Sequence, residues 1–227
     1  MKHSLGSQNA MMVLRNLFFD LDGTLTHPHE GVTRCIQHAL RVAGIEPPAA
    51  ADLIQFVGPP LRDSFAVLLA TTDDARLDDA MSTYRARFET AGIFENAICP
   101  GIPAALEVLT GTGHRLSVVT AKPAVFARRV LEHFGLGAFF GGVYGPDLSS
   151  RDYSKSSLIR TALEATGFSP QTVGMIGDRG EDVTGARANG VHAIAVTWGY
   201  GTDAELAAAR PDRIVRSTVE LLEYLER

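Results

Sequence analysis

Cysteine is scarce: 227 residues contain two, Cys35 and Cys99, and neither belongs to a CxxC pair. That excludes a disulfide scaffold and a thiolate zinc site as organising principles. Both read as buried free thiols in a reducing compartment, so the expected location is the cytoplasm. Long apolar runs are missing too. Residues 13–19 and 192–198 are the longest and are strand-sized, well short of the about 18 residues of a membrane-spanning helix. Residues 1–10, MKHSLGSQNA, lack the apolar segment of a secretory signal and read as a disordered extension. There is no excess of positive charge either: 21 Lys and Arg face 26 Asp and Glu. The broad basic footprint of a nucleic-acid binder is therefore excluded. What is present is ordinary for a globular chain, 45% hydrophobic and 21% charged.

Two textures alternate along the chain. From Ile102 onward, short apolar runs such as RLSVVT (Arg115–Thr120), TVGMIG (Thr172–Gly177) and HAIAVT (His192–Thr197) are separated by helix-like stretches. Residues 13–20, VLRNLFFD, share that character. This alternation predicts parallel βαβ units covered on both faces. Between Leu25 and Pro100 the pattern is helical only. Val32, Cys35, Ile36, Ala39, Leu40 and Ala43 form one apolar stripe, and Leu61–Leu69 and Leu77–Phe88 repeat it. The expected fold is an α/β, Rossmann-like parallel sheet with helices on both faces and a small all-α cap inserted after the first strand. Its expected bounds are 11–26 and 97–227 for the core and 27–96 for the cap, with hinges at Thr26–Glu30 and Asn96–Gly101.

Four segments carry chemistry. In FFDLDGTLT (Phe18–Thr26) a strand ends at Asp20, and Asp22 lies two positions on. Extended backbone points both to one side, at the carboxyl end of a strand, where open α/β sheets place ligands. Thr120 in LSVVTAK ends another strand, where it can bind an anion or serve as an ordinary helix cap. Lys155 stands at the mouth of a helix, where a cation is disfavoured unless an anion is near or the side chain is solvated. In MIGDRGEDVTGARANG (Met175–Gly190), Asp178, Glu181 and Asp182 follow a buried strand. These acids beside Asp20 and Asp22 need a cation among them, and hard oxygens without His or Cys select Mg²⁺. Together the four suit phosphoryl transfer.

In order and wording these motifs resemble the haloacid dehalogenase superfamily: DLDGT at Asp20–Thr24, VVTAK with Thr120, Lys155, and GDRGED at Gly177–Asp182. FVGPPLRDSF (Phe56–Phe65) with GDR looks like the phosphoglycolate-phosphatase-like branch. The resemblance implies a Mg²⁺-dependent phosphatase of a small phosphomonoester, phosphoglycolate-like or a nucleoside monophosphate. Asp20 is implied as nucleophile and Asp22 as general acid and base. Thr120 and Lys155 are implied to hold the phosphoryl group. Asp20, Asp178 and Asp22, the last through its main-chain carbonyl, are the implied Mg²⁺ ligands, with Asp182 and Glu181 behind them.

The second acid, Asp22, argues against a halide-removing dehalogenase. The absence of lysine from Glu30–Asn96 argues against phosphonate hydrolysis. A sugar phosphomutase of the same fold and a phospho-aspartate switch protein are the alternatives. Within the cap, Arg62 follows the stiff Gly58-Pro59-Pro60 turn and is expected to read an anionic group on the substrate. His27 and His29 lie at the hinge, in reach of substrate or solvated. The expected partner is a small phosphomonoester, with no nucleic acid or membrane, on a monomer or homodimer.

Overall fold

The computed structural model describes residues 14–150 and 154–226; the extension expected at residues 1–10 lies outside them. Six strands form one wholly parallel sheet: β1 (Asn16–Phe19), β2 (Arg115–Val119), β3 (Phe140–Tyr144), β4 (Val173–Gly177), β5 (His192–Val196) and β6 (Arg213–Val215). Their order is β3-β2-β1-β4-β5-β6. The strand order therefore reverses at β1, which pairs with β2 on one side and β4 on the other. That switch point opens a crevice at the carboxyl ends of the strands.

Side chains alternate across the sheet, as period two requires. Leu17, Phe19, Val118, Ile176 and Ile194 pack on one face with α5 (Ile102–Gly111), α6 (Ala124–His133) and α10 (Thr218–Leu225). Phe18, Val119, Met175, Ala193 and Ala195 pack on the other with α7 (Lys155–Thr166), α8 (Gly180–Ala188) and α9 (Asp203–Ala209). Both faces are covered, so β1 needs no polar side and reads NLFF, buried throughout. The expected strand start at residue 13 was too early, because the apolar run enters the sheet only at Asn16.

The interval between β1 and α5 holds α1 (His29–Val42), α2 (Ala50–Leu53), α3 (Leu61–Leu68), α4 (Asp74–Arg87) and a π-helical turn at Phe88–Gly92. Val32, Ile36, Phe65, Leu77, Met81, Tyr84 and Phe88 continue the first core cluster into this helical insert. Ala43, read as part of the α1 stripe, is exposed, because the helix ends at Val42. The two segments expected as hinges lie side by side. Thr26 bridges Ile98 in antiparallel fashion, His27 N donates to Ala97 O (2.7 Å) and Cys99 N donates to Leu25 O (3.0 Å). Cys35 and Cys99 are buried and unpaired.

Candidate active site

The end of β1 delivers Asp20, and Asp20 N donates to Ile176 O of β4 (2.9 Å). The chain then turns through Gly23 at φ +87°. A side chain there would stand 2.2 Å from Asp178 Oδ2, so glycine is required on two counts. Asp178 follows β4 and is completely buried. It accepts from Thr24 Oγ1 (3.1 Å) and Tyr200 N (2.8 Å). Gly199 and Gly201 close the far side, where added Cβ atoms would overlap Asp178. Trp198 Nε1 donates to Thr24 O (3.0 Å), tying that loop to the turn after β1.

Lys155, at the start of α7, reaches into this group. Its Nζ lies 2.9 Å from Asp20 Oδ1 and 2.7 Å from Asp182 Oδ1, and donates to Val119 O (3.1 Å). Burial weakens its hold on the proton, but Asp182 and Asp20 outweigh that and hold the ammonium above its ordinary range. The solvated reading of Lys155 does not describe this side chain, which is 5% exposed. Asp182 Oδ2 also accepts from Arg179 N (3.0 Å), so the same residue orders the start of α8.

Asp20, Asp178 and Asp182 present carboxylate oxygens within 4.8 Å of one another. Burial, then the neighbouring acids, push Asp178 up to about 7. Burial also pushes Asp182 up to about 6, against the pull of Lys155. Three carboxylates against one ammonium leave two negative charges, which one divalent cation balances. An all-oxygen donor set of this kind fits the Mg²⁺ class. Asp182, expected behind the metal ligands, stands with Asp20 and Asp178 in this cluster, while the carboxylate of Asp22, whose expected ligand is its main-chain carbonyl, pairs with Lys122. Glu181 is exposed at the rim of the same cleft.

Asp22 pairs instead with Lys122, Nζ to Oδ2 at 2.7 Å, and both side chains are nearly buried. The Lys122 ammonium also lies 4.7 Å from the centre of the Phe88 ring. Asp22 Oδ1 is buried with no hydrogen-bond partner among the described residues. Burial raises the affinity of Asp22 for a proton, against the opposing pull of Lys122. Thr120 is buried at the end of β2, where its Oγ1 accepts from Lys122 N (3.2 Å). Asp20, Asp22, Thr120, Lys155, Asp182 and Glu181 all line one cleft, under Gly58 and Pro59 of the insert.

Arg62 is elsewhere. Its guanidinium pairs with Asp74 and Asp78 of α4, the latter at 2.6 Å, so acids one helix turn apart hold it outside the catalytic cleft. The expectation that Arg62 faces the substrate is corrected accordingly. His27 and His29 stand edge-on to Tyr200, with centroids 5.9 and 6.5 Å away, and line neither this cleft nor its extension described below.

Lys122 and Arg179 are the functional side chains the sequence reading passed over. Arg179 bridges from the turn after β4 to the insert: Nη1 donates to Val57 O (3.3 Å) and Nε to Glu205 Oε1 (2.9 Å). A signal for Lys122 existed. The whole sequence holds three lysines, at positions 2, 122 and 155, and Lys122 follows Thr120 at the i, i+2 spacing that aligned Asp20 and Asp22. The Lys122→Met variant leaves Asp22 buried without its counter-charge, and adding Asp22→Asn removes that charge. Thermal melts should show the double variant more stable than the sum of the two singles by about 1 kcal/mol or more; additive losses would mean the pair is not coupled.

Buried acids, an ammonium and a hydroxyl at the carboxyl ends of a parallel sheet define a phosphoryl-transfer site. Residues 17–196 match the haloacid dehalogenase-like hydrolase family, and the chain belongs to it. It is similar to a 5'-nucleotidase of Pseudomonas aeruginosa, 42% identical over 219 residues that span 96% of this chain and 99% of that one. A phosphoglycolate phosphatase of Agrobacterium fabrum is 29% identical over 201 residues, 87% of this chain and 86% of that one. The crystal structure of a predicted phosphatase from Clostridium acetobutylicum superposes with a TM-score of 0.90 at 38% identity, covering 95% of this chain and all of the other. The chain is a phosphatase-type enzyme, a phosphoric monoester hydrolase.

Proposed function

We propose a Mg²⁺-dependent phosphomonoesterase that works through an aspartyl-phosphate on Asp20. The observation that carries this reading is the division of labour between two neighbouring carboxylates. Both pair with a lysine, Asp20 with Lys155 and Asp22 with Lys122; Asp20 also stands among the acids that need a cation, whereas Asp22 lies outside that cluster with its proton affinity raised by burial. The carboxylate among the cation-holding acids is placed to attack, and the buried neighbour with raised proton affinity is placed to donate. Asp20 attacks phosphorus, the bond from phosphorus to the leaving oxygen breaks, and Asp22 supplies that oxygen with a proton. Water then attacks the aspartyl-phosphate, its proton passes to Asp22, and inorganic phosphate and free Asp20 result. Lys155 and Thr120 bind the phosphoryl oxygens through both steps. Asp20, Asp178 and Asp182, with the main-chain carbonyl of Asp22, would hold the cation. When bound it would neutralise charge on the transferring group.

The substrate class is a small phosphomonoester, phosphoglycolate-like or a nucleoside monophosphate, in keeping with the names of the two relatives. Two buried free thiols support a cytoplasmic location. A panel of phosphomonoesters assayed for phosphate with Mg²⁺ tests the reading. Steady release over many turnovers is expected. One equivalent retained on the protein would point to a phospho-switch, and isomerised sugar phosphate without net release to a mutase.

A further inference from the structure

The catalytic cleft continues into a second one with room of about 70 Å³. The two share Asp22, Gly58, Pro59, Ala121 and Lys122, so the second begins where a leaving group would depart from the phosphoryl site. Its walls are aromatic: Phe56, Tyr84, Phe88 and Phe126. Tyr84 and Phe88 stack nearly parallel, at 11° with centroids 5.6 Å apart, and Phe126 meets Phe88 edge-on at 5.3 Å. Aromatic walls of this kind suit a flat ring.

The charged groups of this cleft are not equivalent. Asp22 and Lys122 neutralise each other. Arg85 of α4 also lines the cleft, half-buried, and makes no hydrogen bond or ion pair among the described residues. Two nearby arginines are engaged: Arg87 holds Glu95 at 2.8 Å and Arg62 holds Asp74 and Asp78. A guanidinium carries five donors in a planar fork, and those of Arg85 are held by no acceptor among the described residues. An aromatic slot ending on a planar donor that no acceptor among the described residues holds is matched by a flat ring with acceptor oxygens on its rim.

We propose that Arg85 is a specificity-determining residue that reads the carbonyl edge of a planar leaving group, and that the preferred substrate is a nucleoside 5′-monophosphate whose base bears keto oxygens. This rests on the phosphomonoesterase reading and deepens it. The ring lies on the Tyr84, Phe88 and Phe126 surface, and the ester oxygen faces Asp22.

The test compares wild type, Arg85→Gln and Arg62→Ala on uridine 5′-monophosphate, phenyl phosphate and phosphoglycolate, with thermal melts to verify folding. Phenyl phosphate fills the aromatic slot but offers Arg85 no acceptor. Arg85→Gln should lower kcat/KM on the nucleotide tenfold or more, mainly through KM, and change phenyl phosphate less than twofold. Arg62→Ala should show no substrate-dependent change. Equal loss on nucleotide and phenyl phosphate, or none on either, overturns the proposal. A largest loss on phosphoglycolate also overturns it, assigning Arg85 to a carboxylate. Absence of phosphate release by wild type from all three esters would instead sink the underlying phosphatase reading.

Discussion

Asp20→Asn is expected to leave the protein folded and its phosphate release at background. An amide does not form a bond to phosphorus, so the covalent route closes, and the acid cluster loses one of its three carboxylates. Losing both should cost at least about four orders of magnitude in kcat, roughly 5.5 kcal/mol of transition-state stabilisation. The fold should not suffer. Removing one of three mutually repelling buried acids relieves strain, and Lys155 keeps Asp182 at 2.7 Å as its partner. Parallel melts and phosphate assays decide the point. Residual turnover above about 1% of wild type, with contamination excluded, would remove Asp20 as nucleophile.

Chelation is expected to reduce turnover to background, with Mg²⁺ restoring it and Ca²⁺ restoring little. Ca²⁺ takes more ligands at longer distances than three clustered carboxylates supply. The same cation should leave a signature in stability. Folding raises Asp178 to about 7 and Asp182 to about 6, from an ordinary 3.8. Between about pH 4 and pH 7 the metal-free folded state keeps protons that the unfolded chain has already released. Its stability therefore falls as pH rises through that window. A cation competes with those protons and compensates the charge once they leave. The rise in Tm on adding Mg²⁺ should accordingly be larger at pH 8 than at pH 5. Undiminished turnover in excess chelator, or a Tm shift independent of pH, would count against a metal among these acids.

Most of this site was legible because its groups sit at strand ends, and strands announce themselves locally. Apolar NLFF and the i, i+2 acids after it place Asp20 and Asp22 at the sheet edge with no knowledge of the fold. Lys155 at the helix mouth is an anomaly that local electrostatics alone flags. Pairings between distant elements were not legible. Arg62 is claimed by Asp74 and Asp78 because α3 packs on α4, and nothing in the spacing of those residues fixes that packing. Asp22 meets Lys122 across β1 and β2, a contact set by sheet register. Nothing in the sequence singles out the Trp198–Gly201 loop. Its role as the lid over Asp178 appears only when residues from both ends of the chain are brought together.

The position of β1 has a consequence for how the chain is made. This strand leaves the ribosome first yet lies at the centre of the sheet, bonded on both sides. Asn16 pairs with Arg115 on one side and Val173 on the other, the second roughly 160 residues later. At about 5–20 residues per second, β4 emerges about 8–30 s after β1. The insert helices depend on near neighbours and can form in that interval. Until β4 arrives the NLFF segment waits with at least one edge open, a template for wrong pairing. Of the sheet's strands, the one that bears Asp20 is thus synthesised first yet completed only with β4, and a nascent chain that stops short of β4 lacks the Ile176 carbonyl that Asp20 N bonds.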